Sequence, residues 1–158
     1  MKLVQALAAA VAFLPAQLLA QLPVDADFRL PSGAEVAGAI STICIGEAQG
    51  ATLGFASRES GRNLEYVLAR FPEPQDAALK SIYRGVKLTV EDVFAHPSIG
   101  YHTMFYYRSK ACFRERTELK VMPSIVFSAA ALLRCEREHG RENSPSLLAC
   151  VERVVGAL

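Results

Sequence analysis

The sequence AEVAGAISTICIGEAQGATLGFA, from Ala34 to Ala56, decides the fold. A small residue recurs at every fourth position, and beside these positions runs an apolar face with the spacing of one side of a helix. A glycine inside a helix costs about 1 kcal/mol relative to alanine, so the stretch predicts a helix that a second helix approaches closely. The small residues are Ala34, Gly38, Thr42, Gly46, Gly50 and Gly54, and the apolar face comprises Val36, Ile40, Ile43, Cys44, Ala48, Ala51 and Phe55.

The segments that follow are also typical of helices, and together they predict an all-α fold, a compact bundle of about five or six helices tied by two disulfides. Ser32 and Glu35 have the capping-box spacing that begins the first helix, at about Gly33–Ser57. Ser144 and Pro145 form an N-cap and first-turn pair for the last helix. The segments between them are Leu64–Phe71, Gln75–Ala95, Ser98–Glu115 and a helix that follows Pro123 and stops at Gly140.

Two of these segments leave alternatives open. Gly85 and Thr89 each favour a break, so Gln75–Ala95 is either one bent helix or two. Ser98–Glu115 is rich in aromatic residues and has strand propensity, but its start after Pro97 and its helical surroundings favour a helix. The residues that then share a face are Tyr101, Met104, Phe105, Arg108 and Cys112.

Residues 1–20, MKLVQALAAAVAFLPAQLLA, predict a signal peptide, because Lys2 precedes an uncharged apolar run and Ala20 offers a small residue for cleavage. The alternative is an uncleaved anchor, since a run of this length just reaches across a bilayer. Residues 21–31 then form an extended leader, and residues 32–158 a single helical domain. We therefore expect a periplasmic or secreted protein that is not inserted in a membrane after cleavage.

The charge balance argues against a nucleic-acid partner. The chain has 17 Lys+Arg and 16 Asp+Glu, so loss of Lys2 with the signal peptide leaves no formal net charge. Nucleic-acid binding depends on a basic surface, and we expect no such partner. The sequence also lacks a glycine-rich phosphate loop and a Gly-x-Ser-x-Gly nucleophile elbow, and no cofactor is expected.

All four cysteines, Cys44, Cys112, Cys135 and Cys150, follow the signal peptide, and an even number in an exported chain predicts two disulfides. Four cysteines allow three pairings. Cys135 and Cys150 lie near the facing ends of two helices joined by a short loop, which favours pairing them and leaves Cys44 for Cys112. The sequence has no Cys-x-x-Cys, so thioredoxin-like chemistry and zinc binding are not expected.

Glu47 lies within the apolar arc of the first helix, between the directions of Val36 and Ile40. A carboxylate there must be hydrogen-bonded, paired with a cation, or have its pKa raised. Glu47 is therefore either an acid that faces a ligand pocket or one half of a structural ion pair. Arg108, on the face shared with Cys112, is a candidate partner.

The candidate catalytic residues are Glu47, as general acid or base, and His102. His96 and His102 lie on either side of Pro97, without the i, i+3 or i, i+4 spacing of metal ligands on one helix. His139, near a helix C-terminus, is typical of a solvated histidine. No metal site is expected.

Several spaced features of the first two thirds of the chain form a pattern: Cys44, a helix end with Arg58 and Gly61, the Phe94–Pro97 step, and Cys112. The pattern resembles uncharacterised small cysteine-containing exported helical proteins of Gram-negative bacteria, over about residues 43–114. The signal peptide and the disulfide-tied helical domain are similar, more loosely, to periplasmic immunity proteins, which neutralise secreted cell-wall toxins. The cysteine-glycine-tyrosine motif of those proteins has no counterpart here, where Ile-Gly-Glu follows Cys44.

The leading hypothesis is an exported, non-enzymatic binding protein of the bacterial envelope, of the inhibitor, immunity or adaptor type, with another envelope or secreted protein as partner. The binding surface would combine the aromatic segment with the turn Arg58–Arg62. The alternatives are a small hydrolase that uses Glu47 and a carrier that holds an apolar ligand against the glycines. The binding candidates are Arg58, Arg62, Tyr101, Tyr106, Tyr107 and Arg108, with Tyr106 and Tyr107 expected to point outward.

Overall fold

The small residues of the opening stretch lie in two consecutive helices, α1 (Gly33–Ala48) and α2 (Gly50–Glu59), in a computed structural model that describes residues 33–72, 74–118, 122 and 124–158. Gln49 separates them, keeps α conformation, and donates its N–H to the carbonyl of Ile45 at 3.0 Å. The two helices are therefore a nearly continuous version of the one helix predicted. The predicted signal peptide, the leader and the Ser32 cap lie outside the described residues.

The remaining elements confirm the all-α class. With α1 and α2 counted as one interrupted helix, the described residues form six α-helices and no strand. Ser98–Glu115, for which a strand was the alternative, is helical, and Gln75–Ala95 gives one helix rather than two. The further elements are α3 (Leu64–Leu68), α4 (Ala77–Ala95), α5 (Tyr101–Glu118), a 3₁₀ helix (Ile125–Phe127), α6 (Ala129–His139) and α7 (Pro145–Gly156).

Side-chain caps explain where several of these helices begin. Asn63 Oδ1 accepts the N–H of Tyr66 at 2.8 Å at the start of α3, and Ser144 Oγ accepts the N–H of Leu147 at 3.2 Å at the start of α7. Each bond satisfies an N–H that has no partner within the helix. The local signals around Ser144 and Pro145 therefore set the boundary that the sequence predicts.

Two segments differ from the sequence expectation. Thr89 does not break α4, because its hydroxyl donates to the carbonyl of Gly85 at 2.9 Å within the continuing helix. The helix expected after Pro123 begins instead as a 3₁₀ turn, in which Ser128 N–H donates to the carbonyl of Ile125 at 2.8 Å, and α6 starts only at Ala129.

The glycines of the opening stretch divide into a packed pair and an open pair. A Cβ at Gly50 would lie 2.5 Å from the carbonyl oxygen of Val86, and one at Gly54 would lie 2.9 Å from the Cβ of Val93. A Cβ at Gly38 or Gly46 would meet no atom within 4 Å. The predicted close approach of a second helix is thus confirmed at the glycines of α2, which pack against α4. The same prediction was wrong for the glycines of α1.

Helix α5 lies at the centre of the bundle, packed against α1, α2, α4 and α7. It runs antiparallel to α1 and α2. Cys112, late in α5, forms a disulfide with Cys44 of α1, and Tyr101, at the start of α5, is hydrogen-bonded to Thr52 of α2. Its inner side reaches a common core with α2, α4, α6 and α7. The fully buried members of that core include Ala51, Val93, Met104, Tyr107, Leu132, Leu147 and Val151.

Both predicted disulfides are confirmed. Cys44 is bonded to Cys112 and Cys135 to Cys150, with Cα–Cα distances of 5.4 and 5.7 Å. The first joins α1 to α5, and the second joins α6 to α7. Two such bonds are typical of a protein of an oxidising compartment. In the described part of the chain, no helix combines the length and the apolarity that crossing a bilayer requires.

Candidate functional site

Glu47 is the buried acid that the sequence predicts, and its partner is Arg116. The residue is 7% exposed, and its carboxylate accepts a hydrogen bond from the Arg116 guanidinium in an ion pair between α1 and α5. Arg116 also donates to Ser81 Oγ at 3.2 Å. A Cβ at Gly85 would overlap the Glu47 side chain, so the glycine of α4 provides the space that the carboxylate occupies.

The expected pairing of Glu47 with Arg108 was wrong, and the direction of the side chains explains why. Side chains on a helix lean toward its N-terminus, and α1 and α5 are antiparallel. Glu47 and Arg116 therefore lean toward each other from either side of the Cys44–Cys112 bond. Arg108 leans away from it, and binds α4 instead.

Arg108 belongs to a polar cluster between α4 and α5. Its guanidinium lies 3.4 Å from Asp92 Oδ2, and its Nε donates to Thr89 Oγ1 at 3.2 Å. Burial raises the pKa of Asp92 above its ordinary value, and the positive charge of Arg108 only partly opposes this effect. Arg108 thus pairs with a partly buried acid inside the bundle, which is a structural role, and its binding role stays a prediction.

Glu47 and His102 do not form a joint catalytic site. His102 and Arg116 lie near opposite ends of α5, about 21 Å apart along its axis at 1.5 Å per residue. Because Glu47 is bonded to Arg116, its carboxylate lies near the C-terminal half of α5, whereas the imidazole lies at the start of that helix. General acid–base catalysis requires hydrogen-bond reach to the same substrate atoms, which this arrangement does not provide.

Four partly exposed rings at the start of α5 and one on α2 form a group that we call the aromatic surface: Tyr101, His102, Phe105 and Tyr106 of α5, and Phe55 of α2. Phe55 and Tyr101 meet edge to face, with ring centroids 5.8 Å apart. Tyr101 and His102 also meet edge to face, with centroids 4.9 Å apart. The Tyr101 hydroxyl lies 3.1 Å from Thr52 Oγ1, and the Tyr106 hydroxyl donates to Asn143 Oδ1. These contacts hold the rings in place at the surface.

Tyr107 is not part of the aromatic surface, and its expected outward orientation was wrong. It is fully buried in the core with Met104 and Ala111, which lie three and four residues away on the same side of α5. Burial raises the pKa of Tyr107, and a hydrogen bond with Ser128 acts in the opposite direction. Adjacent helical residues point about 100° apart, and on α5 this turns Tyr107 to the core while Tyr106 stays partly exposed.

Arg58, in the last turn of α2, and Arg62, in the turn that follows, have different surroundings. Arg58 lies over the Phe55 ring at 4.6 Å and donates to the carbonyl of Val93 at 2.8 Å. It therefore borders the aromatic surface. Arg62 is exposed and lies over the Tyr66 ring of α3 at 5.3 Å, on the other side of the turn.

Glu136 is a second buried acid that the sequence analysis missed. It is 6% exposed, accepts the N–H of Gly100 at 2.5 Å, and pairs with Arg141 Nε at 2.8 Å. The signal was present in the sequence, because Leu132, Cys135 and Glu136 have the i, i+3, i+4 spacing of one helix face. The contact fixes the start of α5 against the end of α6.

A metal site has little support among the described residues. The one group with ligand atoms within 4.8 Å of one another consists of Glu138, His139 and Cys150. Cys150 is bonded to Cys135, so its sulfur is not a thiolate ligand. Two remaining ligands, one of them exposed, do not make a structural metal site, which normally has four.

We expect Arg116→Met to lower the free energy of unfolding by about 2 kcal/mol, because it leaves the Glu47 carboxylate buried without a cation. The estimate is below that for a fully buried pair, since the Arg116 side chain is 29% exposed. Urea unfolding of Arg116→Met, Glu47→Gln and the double variant measures the coupling between the two residues.

Lys110→Met is the matched control, because Lys110 pairs with Glu152 at the surface and such pairs contribute about 0.2–1 kcal/mol. An effect of Arg116→Met no larger than that of Lys110→Met would contradict a compensating role for Arg116.

Comparison with known proteins gives no match to a protein-family model, to a curated protein or to a solved structure.

Proposed function

We propose that the protein is an exported, non-enzymatic binding protein of the bacterial envelope, of the inhibitor, immunity or adaptor type. Its partner is another envelope or secreted protein, and the aromatic surface is the contact. The observation that carries the proposal is the aromatic surface, whose partly exposed rings contact one another and are hydrogen-bonded to Thr52 and Asn143. Tyrosine and other aromatic residues dominate the energetics of protein interfaces.

The structural features on which the two alternative functions, hydrolase and apolar-ligand carrier, depend are not available in this arrangement. A hydrolase based on Glu47 would need a carboxylate that reaches substrate, whereas this one is bonded to Arg116. An apolar carrier would need an enclosed space beside the glycines, whereas α4 fills the space at Gly50 and Gly54, and a Cβ at Gly38 or Gly46 would meet no atom within 4 Å that could enclose a ligand. A binding protein requires neither a reactive acid nor an internal cavity.

The surroundings of the aromatic surface also fit a protein partner. Arg58 borders the rings, and arginine is enriched with aromatic residues at interfaces. The Tyr106 and Tyr101 hydroxyls are already bonded to Asn143 and Thr52, so little side-chain entropy is lost when a partner binds. The two disulfides support export to an oxidising compartment.

Site-specific photocrosslinking in an envelope extract tests the proposal. A photoreactive phenylalanine analogue replaces Phe105 in the oxidised protein, and in a control protein it replaces Arg134, which is exposed on α6. We expect a discrete protein adduct from position 105 and none from position 134. Adducts at both positions or at neither would contradict a specific contact through the aromatic surface.

Binding of the partner identified in this way is then measured with Tyr106→Ala and Tyr106→Phe. Loss of an interface ring lowers affinity about tenfold or more, whereas Tyr106→Phe keeps the ring. Equal affinities for the two variants would show that the ring is not part of the contact.

A further inference from the structure

The part of the chain between Cys135 and Cys150, which their disulfide closes into a loop, contacts the start of α5 at several points. We call residues 135–150 the closed segment. It comprises the end of α6, the connection that follows and the first half of α7. Three of its side chains bond to α5 or to the residues just before it, and these are Glu136, Arg141 and Asn143.

Glu136 caps α5 from a different helix. Gly100 precedes α5, and its carbonyl accepts the N–H of Met104 at 3.0 Å. The N–H of Gly100 is outside the bonding pattern of the helix and donates to Glu136 Oε1 at 2.5 Å. In a capping box, an acid three residues into the same helix accepts this N–H, but that position of α5 holds Thr103. Glu136 replaces the local acid, and its negative charge suits a helix N-terminus.

Arg141 reinforces this cap. Its guanidinium donates to the carbonyl of Ser98 at 2.7 Å, and its Nε pairs with Glu136 at 2.8 Å. A Cβ at Gly100 would lie 3.1 Å from Glu136 Oε1 and 3.4 Å from Arg141 Cδ, so both side chains lie against the backbone there. The residues that lead into α5 are therefore held at both ends by the closed segment.

Asn143 provides an attachment within the aromatic surface itself, because its Oδ1 accepts the hydroxyl of Tyr106. Tyr106 lies six residues after Gly100, about 9 Å along the helix axis. Tyr101 and His102, two further members of the aromatic surface, lie between these two points. The closed segment thus contacts α5 on both sides of them.

The disulfide restricts the closed segment. It joins residues 15 positions apart, and closing a loop of that length removes much of the conformational freedom of the open chain. Residues 140–144, which include Arg141 and Asn143, have no helix and are mostly exposed. Such stretches open locally at little cost in free energy when few buried contacts hold them. The bond therefore favours the arrangement in which all three side chains contact α5 together.

We propose that the closed segment is a positioning element for the aromatic surface. The Cys135–Cys150 bond keeps Glu136, Arg141 and Asn143 against the start of α5, and these side chains fix the rings that follow the cap. The inference rests on the proposed function only in its last step, that the rings so arranged contact a partner.

Hydrogen exchange measured by mass spectrometry tests the positioning on the protein alone. The variants are Cys135→Ala/Cys150→Ala and, as the matched control, Cys44→Ala/Cys112→Ala. In the first variant, we expect the amides of Gly100–Tyr106 to exchange about tenfold faster or more, relative to the last two turns of α5. In the control we expect no such excess. An effect of global stability alone would have the opposite order, because the chain-entropy model gives the control the larger loss.

A second pair of variants tests the cap without changing a disulfide. Glu136→Met removes the acceptor at the start of α5. Glu47→Met is its matched control, because Glu47 is also a buried acid paired with an arginine, but near the C-terminal half of α5. We expect faster exchange over Gly100–Tyr106 in Glu136→Met and not in Glu47→Met. This pair decides the question if circular dichroism shows that a disulfide variant loses native helix content.

Two results would overturn the positioning role. One is the same relative exchange at the start of α5 in both disulfide variants, and the other is the same relative exchange in Glu136→Met and Glu47→Met.

The photocrosslink from position 105 tests the last step. Its yield should fall about tenfold in Cys135→Ala/Cys150→Ala, because apparent affinity decreases with the fraction of molecules in the binding-competent state. An unchanged yield would overturn this step. Absence of an adduct from the native protein would contradict the proposed function instead, and selective exchange at the start of α5 would still support the positioning role.

Discussion

Replacing Gly50 with alanine is expected to lower the free energy of unfolding by about 3 kcal/mol, the upper part of the range for overpacked sites. The added methyl would lie 2.5 Å from the carbonyl oxygen of Val86 and 2.8 Å from the Cβ of Thr89. Both atoms belong to or adjoin the α4 backbone and cannot rotate away, so α2 and α4 must separate. Urea unfolding followed by circular dichroism measures the change.

Gly46→Ala is the matched control, because it makes the same chemical change on the same nearly continuous helix. A Cβ there meets no atom within 4 Å, and alanine favours a helix by about 1 kcal/mol over glycine. We therefore expect Gly46→Ala to stabilise the protein. If the two variants change stability in the same direction, the close approach of α2 and α4 at Gly50 is not the reason for that glycine.

Removing the Cys44–Cys112 disulfide by substituting both cysteines with alanine is expected to cost about 4 kcal/mol in the chain-entropy model. The bond joins residues separated by 68 positions, and it restricts the unfolded chain strongly. Domains of this size have only about 5–15 kcal/mol of stability in total. The variant should therefore unfold at a much lower urea concentration than the native protein.

The second disulfide provides the comparison. Cys135 and Cys150 are separated by 15 positions, for which the same model gives about 3 kcal/mol. The order of the two losses is the decisive result. A larger loss from removing Cys135–Cys150 would show that local packing, rather than restriction of the unfolded chain, decides how much each bond stabilises the protein.

The start of α7 and the pairing of Cys135 with Cys150 were within reach of the sequence because local rules determine them. Ser144 caps α7 through a hydrogen bond to a residue three positions away, and the Cys135–Cys150 bond follows from a short connection between two helices. Neither depends on how distant helices are arranged. The buried position of Glu47 was predictable for the same reason, since a helical wheel needs only one helix.

The partners of the buried acids required the arrangement of α1, α4 and α5. The wheel gives the direction of Glu47, but Arg116 reaches it only because the two helices are antiparallel and both side chains lean toward the disulfide. Arg108 faces Asp92 and Thr89 of α4, a neighbour that the sequence does not identify.

The sequence predicted the aromatic surface only in part, because its full composition also depends on how the helices are arranged. The sequence indicated that the aromatic segment matters, yet it placed Tyr107 at the surface, where spacing with Met104 and Ala111 assigns it to the core. The sequence identifies Phe55 only as an apolar residue of the first helix. Its contact with Tyr101 depends on α2 lying beside the start of α5.

The pattern of the two disulfides has a consequence for how the protein matures. Each bond joins a cysteine to the next one along the chain, Cys44 to Cys112 and Cys135 to Cys150, and only one of the three possible pairings has this property. A chain that enters an oxidising compartment from its amino end can therefore be oxidised in order of emergence. Oxidation in that order would give both native bonds without any exchange of mispaired thiols.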